Sequence, residues 1–175
     1  MVYPKKAYFG GYVFEVDKHV YEPAEDTFLI AEKMGAKNSD VVLEIGTGCG
    51  ILAVLAAKKA KKVVAVDINP YAVECANRNA KANKATENLQ FRQGDLFESL
   101  KESEQFSLIL FNSPYLPSEP DEEKSWIGKA WAGGVDGRRV IERFIADVPK
   151  FLLPEGRILL VQSSLSDPDK TVQMF

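Results

Sequence analysis

The sequence is poor in residues that hold metals or cross-link chains: its 175 residues include two cysteines and one histidine. A zinc site needs four clustered ligands, or three with an open position. Cys49, Cys75 and His19 do not make such a cluster, so no metal site is expected. The cysteines form no CxxC pair and read as small buried residues of a reducing compartment. Long apolar runs are missing too. No stretch reaches the roughly 18 residues of a membrane span. Residues 1–12 carry two lysines and aromatics but lack the apolar centre of a signal peptide. The expectation is a soluble, cytoplasmic protein.

An excess of positive charge is the third absence. The formal net charge is −3, whereas a nucleic-acid-binding face is normally basic. Nucleic acid is therefore not the expected partner. There is no internal repeat and no linker. The length suits one domain with a real core rather than two. That domain reads as an N-terminal extension, 1–35, followed by a core, 36–175.

What is present is an alternation of strand and helix rhythms. Residues 1–22 are an extended lead-in. Within it Tyr12, Phe14 and Val16 alternate with Val13, Glu15 and Asp17 after Gly10-Gly11, as in a short strand or hairpin. Pro23 marks the start of a helix carrying Phe28, Leu29, Ile30 and Met34, which Gly35 can end. Short apolar runs at 41–45, 63–66, 89–93, 106–111 and 157–161 predict five strands. Between them lie predicted helices over 51–60 and 70–83, and a third capped by Asp136 with Val140, Ile141, Phe144, Ile145 and Val148 on one stripe. Asn69 and Pro70 suit the N-cap and first position of the second helix. Leu153-Pro154-Glu155-Gly156 reads as a turn. Strands that alternate with helices and are apolar on both faces predict an α/β fold, a mostly parallel sheet with helices on both sides. The exception is 112–135, a long irregular stretch with three prolines, the acidic run Asp121-Glu122-Glu123 and two tryptophans. Such a loop is usually functional. The acidic run reads as solvated, and Trp126 and Trp131 either shape a cleft or pack the loop down.

In open parallel sheets ligands bind at the carboxyl ends of the strands, and four groups of candidate residues fall there. Glu44-Ile45-Gly46-Thr47-Gly48-Cys49-Gly50 follows the first core strand, its glycines allowing a tight turn and close approach of a ligand to the backbone. A nicotinamide or flavin fingerprint, GxGxxG, needs glycine where Ile51 stands. An acid at Glu44 also suits a cationic amino group better than a pyrophosphate. Asp67, 23 residues past Glu44 and followed by Ile68, lies where an acid meets ribose hydroxyls. Asp95 and Leu96 follow the third core strand, where Asp95 can accept from an adenine amino group and Leu96 can pack near its ring. Asn112-Ser113-Pro114-Tyr115 ends the fourth.

The glycine segment matches the first motif of class I methyltransferases, and the last group resembles the Asn/Asp-Pro-Pro-aromatic tetrad of enzymes that methylate adenine, cytosine or glutamine nitrogen with S-adenosylmethionine. A planar nitrogen has a delocalised lone pair, so it must be oriented. The resemblance makes Asn112 and the carbonyl of Ser113 acceptors for the two N–H bonds, with Pro114 rigid beside them and Tyr115 a flat platform. Ser113 departs from the pattern, which has proline there. Tyr21-Glu22-Pro23-Ala24-Glu25-Asp26-Thr27 and Ala130-Trp131-Ala132-Gly133-Gly134, followed by Asp136-Gly137-Arg138, are similar to the eukaryotic and archaeal branch of HemK-like methyltransferases. That resemblance spans most of residues 12–163. It implies methylation of the glutamine in the Gly-Gly-Gln loop of a class I peptide-release factor, a cofactor contact at Thr27, and a small zinc-binding activator subunit. The third core strand, with Leu89 and Phe91, is a candidate edge for that subunit. It also implies two antiparallel strands after the fifth strand and its helix, and the sequence reaches Phe175 without them. Adenine N6 and protein lysine remain alternative targets, and Asp26 is either catalytic or structural.

Overall fold

A computed structural model describes residues 3–175; Met1 and Val2, the first residues of the lead-in, lie outside the described residues. The chain opens with a hairpin, β1 (Lys5–Phe9) and β2 (Tyr12–Val16), turned at Gly10-Gly11, both at positive φ. The core alternates β3 (Val41–Ile45), α2 (Ile51–Ala57), β4 (Lys62–Asp67), α3 (Pro70–Ala82), β5 (Leu89–Gln93) and β6 (Phe106–Asn112). After a long connection come α5 (Arg139–Asp147), β7 (Leu152–Val161) and α6 (Pro168–Met174). Helix α1 (Glu25–Lys33) joins the hairpin to the core, and α4 (Trp126–Trp131) lies within the connection.

The five core strands form one sheet in the order β5-β4-β3-β6-β7, every neighbouring pair parallel. Because side chains alternate across a strand, each strand feeds two cores. Val42, Val63, Ala65, Leu108 and Leu110 face one layer, with Ile30, Met34 and the apolar residues of α2 and α3. Leu43, Ile45, Val64, Val66, Ile109 and Phe111 face the other, with Ile141, Phe144 and Ile145 of α5. Both faces are covered, which is why these strands read as unbroken apolar runs.

Several boundaries differ from the sequence-based expectation. The first core helix ends at Ala57, not 60, so Lys58 only caps it and Lys59, Lys61 and Lys62 lie beyond. Pro23 precedes rather than starts α1, whose N-cap is Ala24. Asp136 does not cap α5: the cap is Arg138, and Asp136 instead accepts the Arg138 N–H at 3.0 Å in the turn before it. The stretch 112–135 is not irregular throughout. Ser125 caps α4 by accepting from the Gly128 N–H, and Leu116 bridges to Ala132. The expected turn at 153–156 falls inside β7, where the pairing jumps from Leu152↔Phe106 to Arg157↔Leu108.

Candidate active site

β4 adds to one side of β3 and β6 to the other, so the segments leaving β3 and β6 diverge and open a crevice. A cavity of about 280 Å³ fills it. Of the predicted cofactor residues, Thr27, Glu44, Gly46, Gly48, Asp67, Ile68, Asp95, Leu96 and Asn112 line this cavity, as does Pro114. Gly50, Ser113 and Tyr115 do not.

The glycines of the β3–α2 turn have separate tasks. Gly48 has φ +56° and open space where a Cβ would stand, so a ligand can approach its backbone. At Gly50 a Cβ would come within 2.8 Å of the Ala76 Cβ; its task is the close packing of α2 on α3. The turn is stitched to the end of β4, with Gly46 N–H donating to the Val66 carbonyl and Gly48 N–H to Asp67 Oδ2, both at 2.8 Å.

Two acids stand together here. Glu44 is 1% exposed and accepts from the Thr47 hydroxyl at 2.7 Å. Burial, reinforced by the Asp67 charge, pushes its carboxyl up to about 8 against the pull of the Thr47 hydrogen bond. Burial also raises Asp67, while N–H groups of Gly48 and Asn69 hold its carboxylate in place. A buried carboxyl held by neutral donors is matched to an incoming cation. Asp95, by contrast, is paired with Arg143 at 2.8 Å.

At the end of β6, Asn112 uses one end of its amide and not the other. Its Nδ2 donates to Asp26 Oδ2 and to Thr27 Oγ1, each at 3.1 Å, and its Oδ1 is buried without a partner. The Tyr115 hydroxyl donates to the same Asp26 oxygen at 3.0 Å. Ser113, also buried, donates its hydroxyl to the Val161 carbonyl of β7 at 2.8 Å.

Sequence reasoning missed part of the lining: Val20, Tyr21 and Pro23 from the lead-in, Lys129 and Ala130 beside Trp126 on α4, and Val140 with Arg139 and Arg143 on α5. The signal available was the length of 112–135 and its tryptophans. Trp126 lines the cavity, whereas Trp131 lies outside the lining and its carbonyl accepts the Leu116 N–H. In the acidic run Asp121 and Glu122 are solvated, but Glu123 turns inward to Arg139 at 2.8 Å.

A family profile described as Methyltransferase small domain matches residues 23–127. A protein of Methanocaldococcus jannaschii named as a protein N5-glutamine methyltransferase is 45% identical over 165 residues, 93% of this chain and 81% of that one. Human Methyltransferase HEMK2 is 35% identical, covering 89% and 77% of the two chains. A Geobacter sulfurreducens release factor glutamine methyltransferase is 33% identical, covering 95% and 61%. Among solved structures, the T. thermophilus 16S rRNA N2 G1207 methyltransferase in complex with AdoMet and guanosine superposes with a TM-score of 0.74 at 22% identity, over 97% of this chain and 44% of that one, a likeness of fold.

Proposed function

The chain belongs to the HemK-like family of methyltransferases, and from that premise we propose that it transfers a methyl group from S-adenosylmethionine to N5 of a protein glutamine, the one in the Gly-Gly-Gln loop of a class I release factor. The observation that carries this reading is the buried, unpartnered Oδ1 of Asn112, a residue of the cavity wall. A buried acceptor left unpaired costs about 1–3 kcal/mol, and a substrate N–H offsets that cost.

A primary amide brings two N–H bonds in one plane. Asn112 Oδ1 takes one and the Ser113 carbonyl the other, which fixes the plane and turns the face of the nitrogen toward the methyl donor. Tyr115 serves as the flat support. The amide nitrogen that has just taken the methyl still carries both hydrogens and a positive charge, so it is strongly acidic and gives one proton up to water; no separate low-pKa base is required.

The residues of the cavity fit the cofactor. Glu44 matches its ammonium group, Asp67 its ribose hydroxyls, and Leu96, Ile68 and the Asp95 oxygen not taken by Arg143 its adenine, while the open side of Gly48 admits close approach. When bound, S-adenosylmethionine supplies a methyl group activated on a sulfonium. Thr27 acts at both places, as part of the lining and as acceptor for Asn112.

Strand β5 is an edge of the sheet, with Leu89 and Phe91 half-buried on it. It supports the further proposal of a heterodimer in which a small zinc-binding activator adds a strand there. The cytoplasm is the compartment proposed, because the proposed substrate acts in translation.

The test is transfer of labelled methyl to a cognate release factor and to its Gln→Ala variant, with the activator present. Label on the first alone is the expected result. Label on neither, with cofactor bound, overturns the glutamine reading. Adenine in nucleic acid, whose planar amino group suits the same two acceptors, is then the next substrate to try.

A further inference from the structure

We infer that Asp26 is a positioning residue: its carboxylate fixes which end of the Asn112 amide faces the cavity, and so makes the site an acceptor for substrate N–H bonds. This rests on the glutamine reading above. Asp26 stands in the first turn of α1, far from Asn112 in sequence. It is not among the residues lining the cavity and so acts through others.

Nothing in an asparagine side chain itself chooses between its two ends, because the terminal torsion is broad and roughly two-fold. The neighbours must choose. An ionised carboxylate offers only acceptors. Asn112 can therefore meet Asp26 Oδ2 with its NH₂, at 3.1 Å, and not with its oxygen, which would set lone pairs against lone pairs. Thr27 enforces the same choice at second hand. Its hydroxyl proton is given to Asp26 Oδ1 at 3.3 Å, so Thr27 Oγ1 has only a lone pair left for Asn112, again at 3.1 Å. Both neighbours of Nδ2 are acceptors because Asp26 is there. Oδ1 is then left without a partner, on a residue of the cavity wall.

Tyr115 is held by the same oxygen. Its hydroxyl donates to Asp26 Oδ2 at 3.0 Å, and burial together with the Asp26 charge raises its pKa, which keeps the hydroxyl a donor. One carboxylate oxygen thus anchors both the acceptor and the platform of the tetrad. With the amide reversed, the site would meet substrate N–H bonds with N–H bonds of its own.

Asp26→Asn is the discriminating variant. It keeps size and shape but can donate as well as accept, so the reversed Asn112 amide becomes permissible. The expected result is a kcat about 100-fold lower, the scale of losing one oriented hydrogen-bonding group in a transition state. Cofactor affinity, the KM for release factor and the melting temperature stay close to wild type. Asp26→Glu keeps an acceptor-only group and restores kcat to within about tenfold of wild type on the same scale. A wild-type kcat in Asp26→Asn overturns the inference. So does a folded Asp26→Glu as slow as Asp26→Asn, or a loss shared by kcat, cofactor affinity and stability, which marks a merely structural role. The orientation is also read without substrate, from hydrogen exchange of the ¹⁵N-labelled Asn112 side-chain amide. Protection in wild type and its loss in Asp26→Asn are expected, and unchanged protection overturns the inference whatever the substrate. If wild type fails to label glutamine but the exchange result holds, the glutamine reading fails and the role of Asp26 stands.

Discussion

Ser113 donates its hydroxyl hydrogen to the backbone carbonyl of Val161 across 2.8 Å, tying the strand end that bears Asn112 to the neighbouring strand β7. Proline, usual at this place in the tetrad, restrains the chain by fixing φ. Serine restrains it here by a buried cross-strand bond, with 2% of its surface exposed. Ser113→Ala removes the donor and leaves the carbonyl short of a partner. The expected loss is about 1 kcal/mol in urea unfolding, with kcat reduced more than KM. An Ala variant of unchanged stability and kcat would show the bond to be incidental.

Asn112→Ala deletes the bare acceptor. Methyl transfer should fall by about 10²–10³-fold, while calorimetry of cofactor binding gives nearly the wild-type affinity. Equal loss of both would mean that Asn112 holds cofactor rather than substrate.

Glu44 makes stability depend on pH in a definite direction. Its folded value of about 8 lies above the ordinary value of 4.5. Between those values the folded chain binds a proton that the unfolded chain has lost. The contribution of Glu44 is therefore fully present below the lower value and is lost as pH rises through the upper one. In Glu44→Gln that contribution to the pH dependence disappears. Subtracting the variant's melting curve from that of wild type across this range should isolate a downward slope, and S-adenosylmethionine, by bringing a cation to the carboxylate, should flatten it. A difference that is flat or rises with pH would refute the assignment.

The Arg92–Glu104 pair acts in the opposite sense. Arg92 reaches both carboxylate oxygens of Glu104, at 2.6 and 2.8 Å, with each side chain 16% exposed. The Arg92 hydrogen bonds, with the Lys101 N–H, hold Glu104 down to about 2. Its contribution is present above the unfolded value and is lost as pH falls through the folded one. The upper bound is about 3 kcal/mol from the size of the shift. Glu104→Gln should be less stable at neutral pH and should lose less of its stability on acidification. Parallel acid unfolding curves for the two proteins would contradict this.

Gly128 lets the loop over the cavity close: a Cβ there would stand 1.7 Å from the Glu122 carbonyl oxygen. Gly128→Ala should open residues 118–131 to limited proteolysis and lower activity while the sheet melts nearly as before. Protease resistance equal to wild type would show that the loop absorbs the methyl group.

Much of the fold is legible because the relevant forces are local. The run Val63-Val64-Ala65-Val66 announces a strand buried on both faces, and all four residues are fully buried. Asn69-Pro70 announces a cap, and Asn69 Oδ1 accepts the Tyr71 N–H at 3.0 Å. The turn expected at 153–156 is absorbed into β7: its residues form an irregularity of an edge strand, with Glu155 at positive φ, and the register resumes at Arg157. The chain between Asn112 and Val135 was less legible. Its order comes from contacts such as Glu123 to Arg139 and Leu116 to Trp131, between residues with no periodic relation.

The sequence by itself determined the alternation of strands and helices, the glycine turn after Glu44 and the acid at Asp67, and it marked the tetrad at the end of a strand. Period, capping and turn chemistry are properties of neighbours along the chain. Only the tertiary structure decided that α1 lies over the end of β6, that Asp26 there meets Asn112, and that α4 brings Trp126 to the cavity. It also decided that Arg143 already occupies Asp95. These pairings depend on strand order and on how helices pack across the sheet, and a hydrogen bond between residues far apart in sequence leaves no trace in the spacing of either.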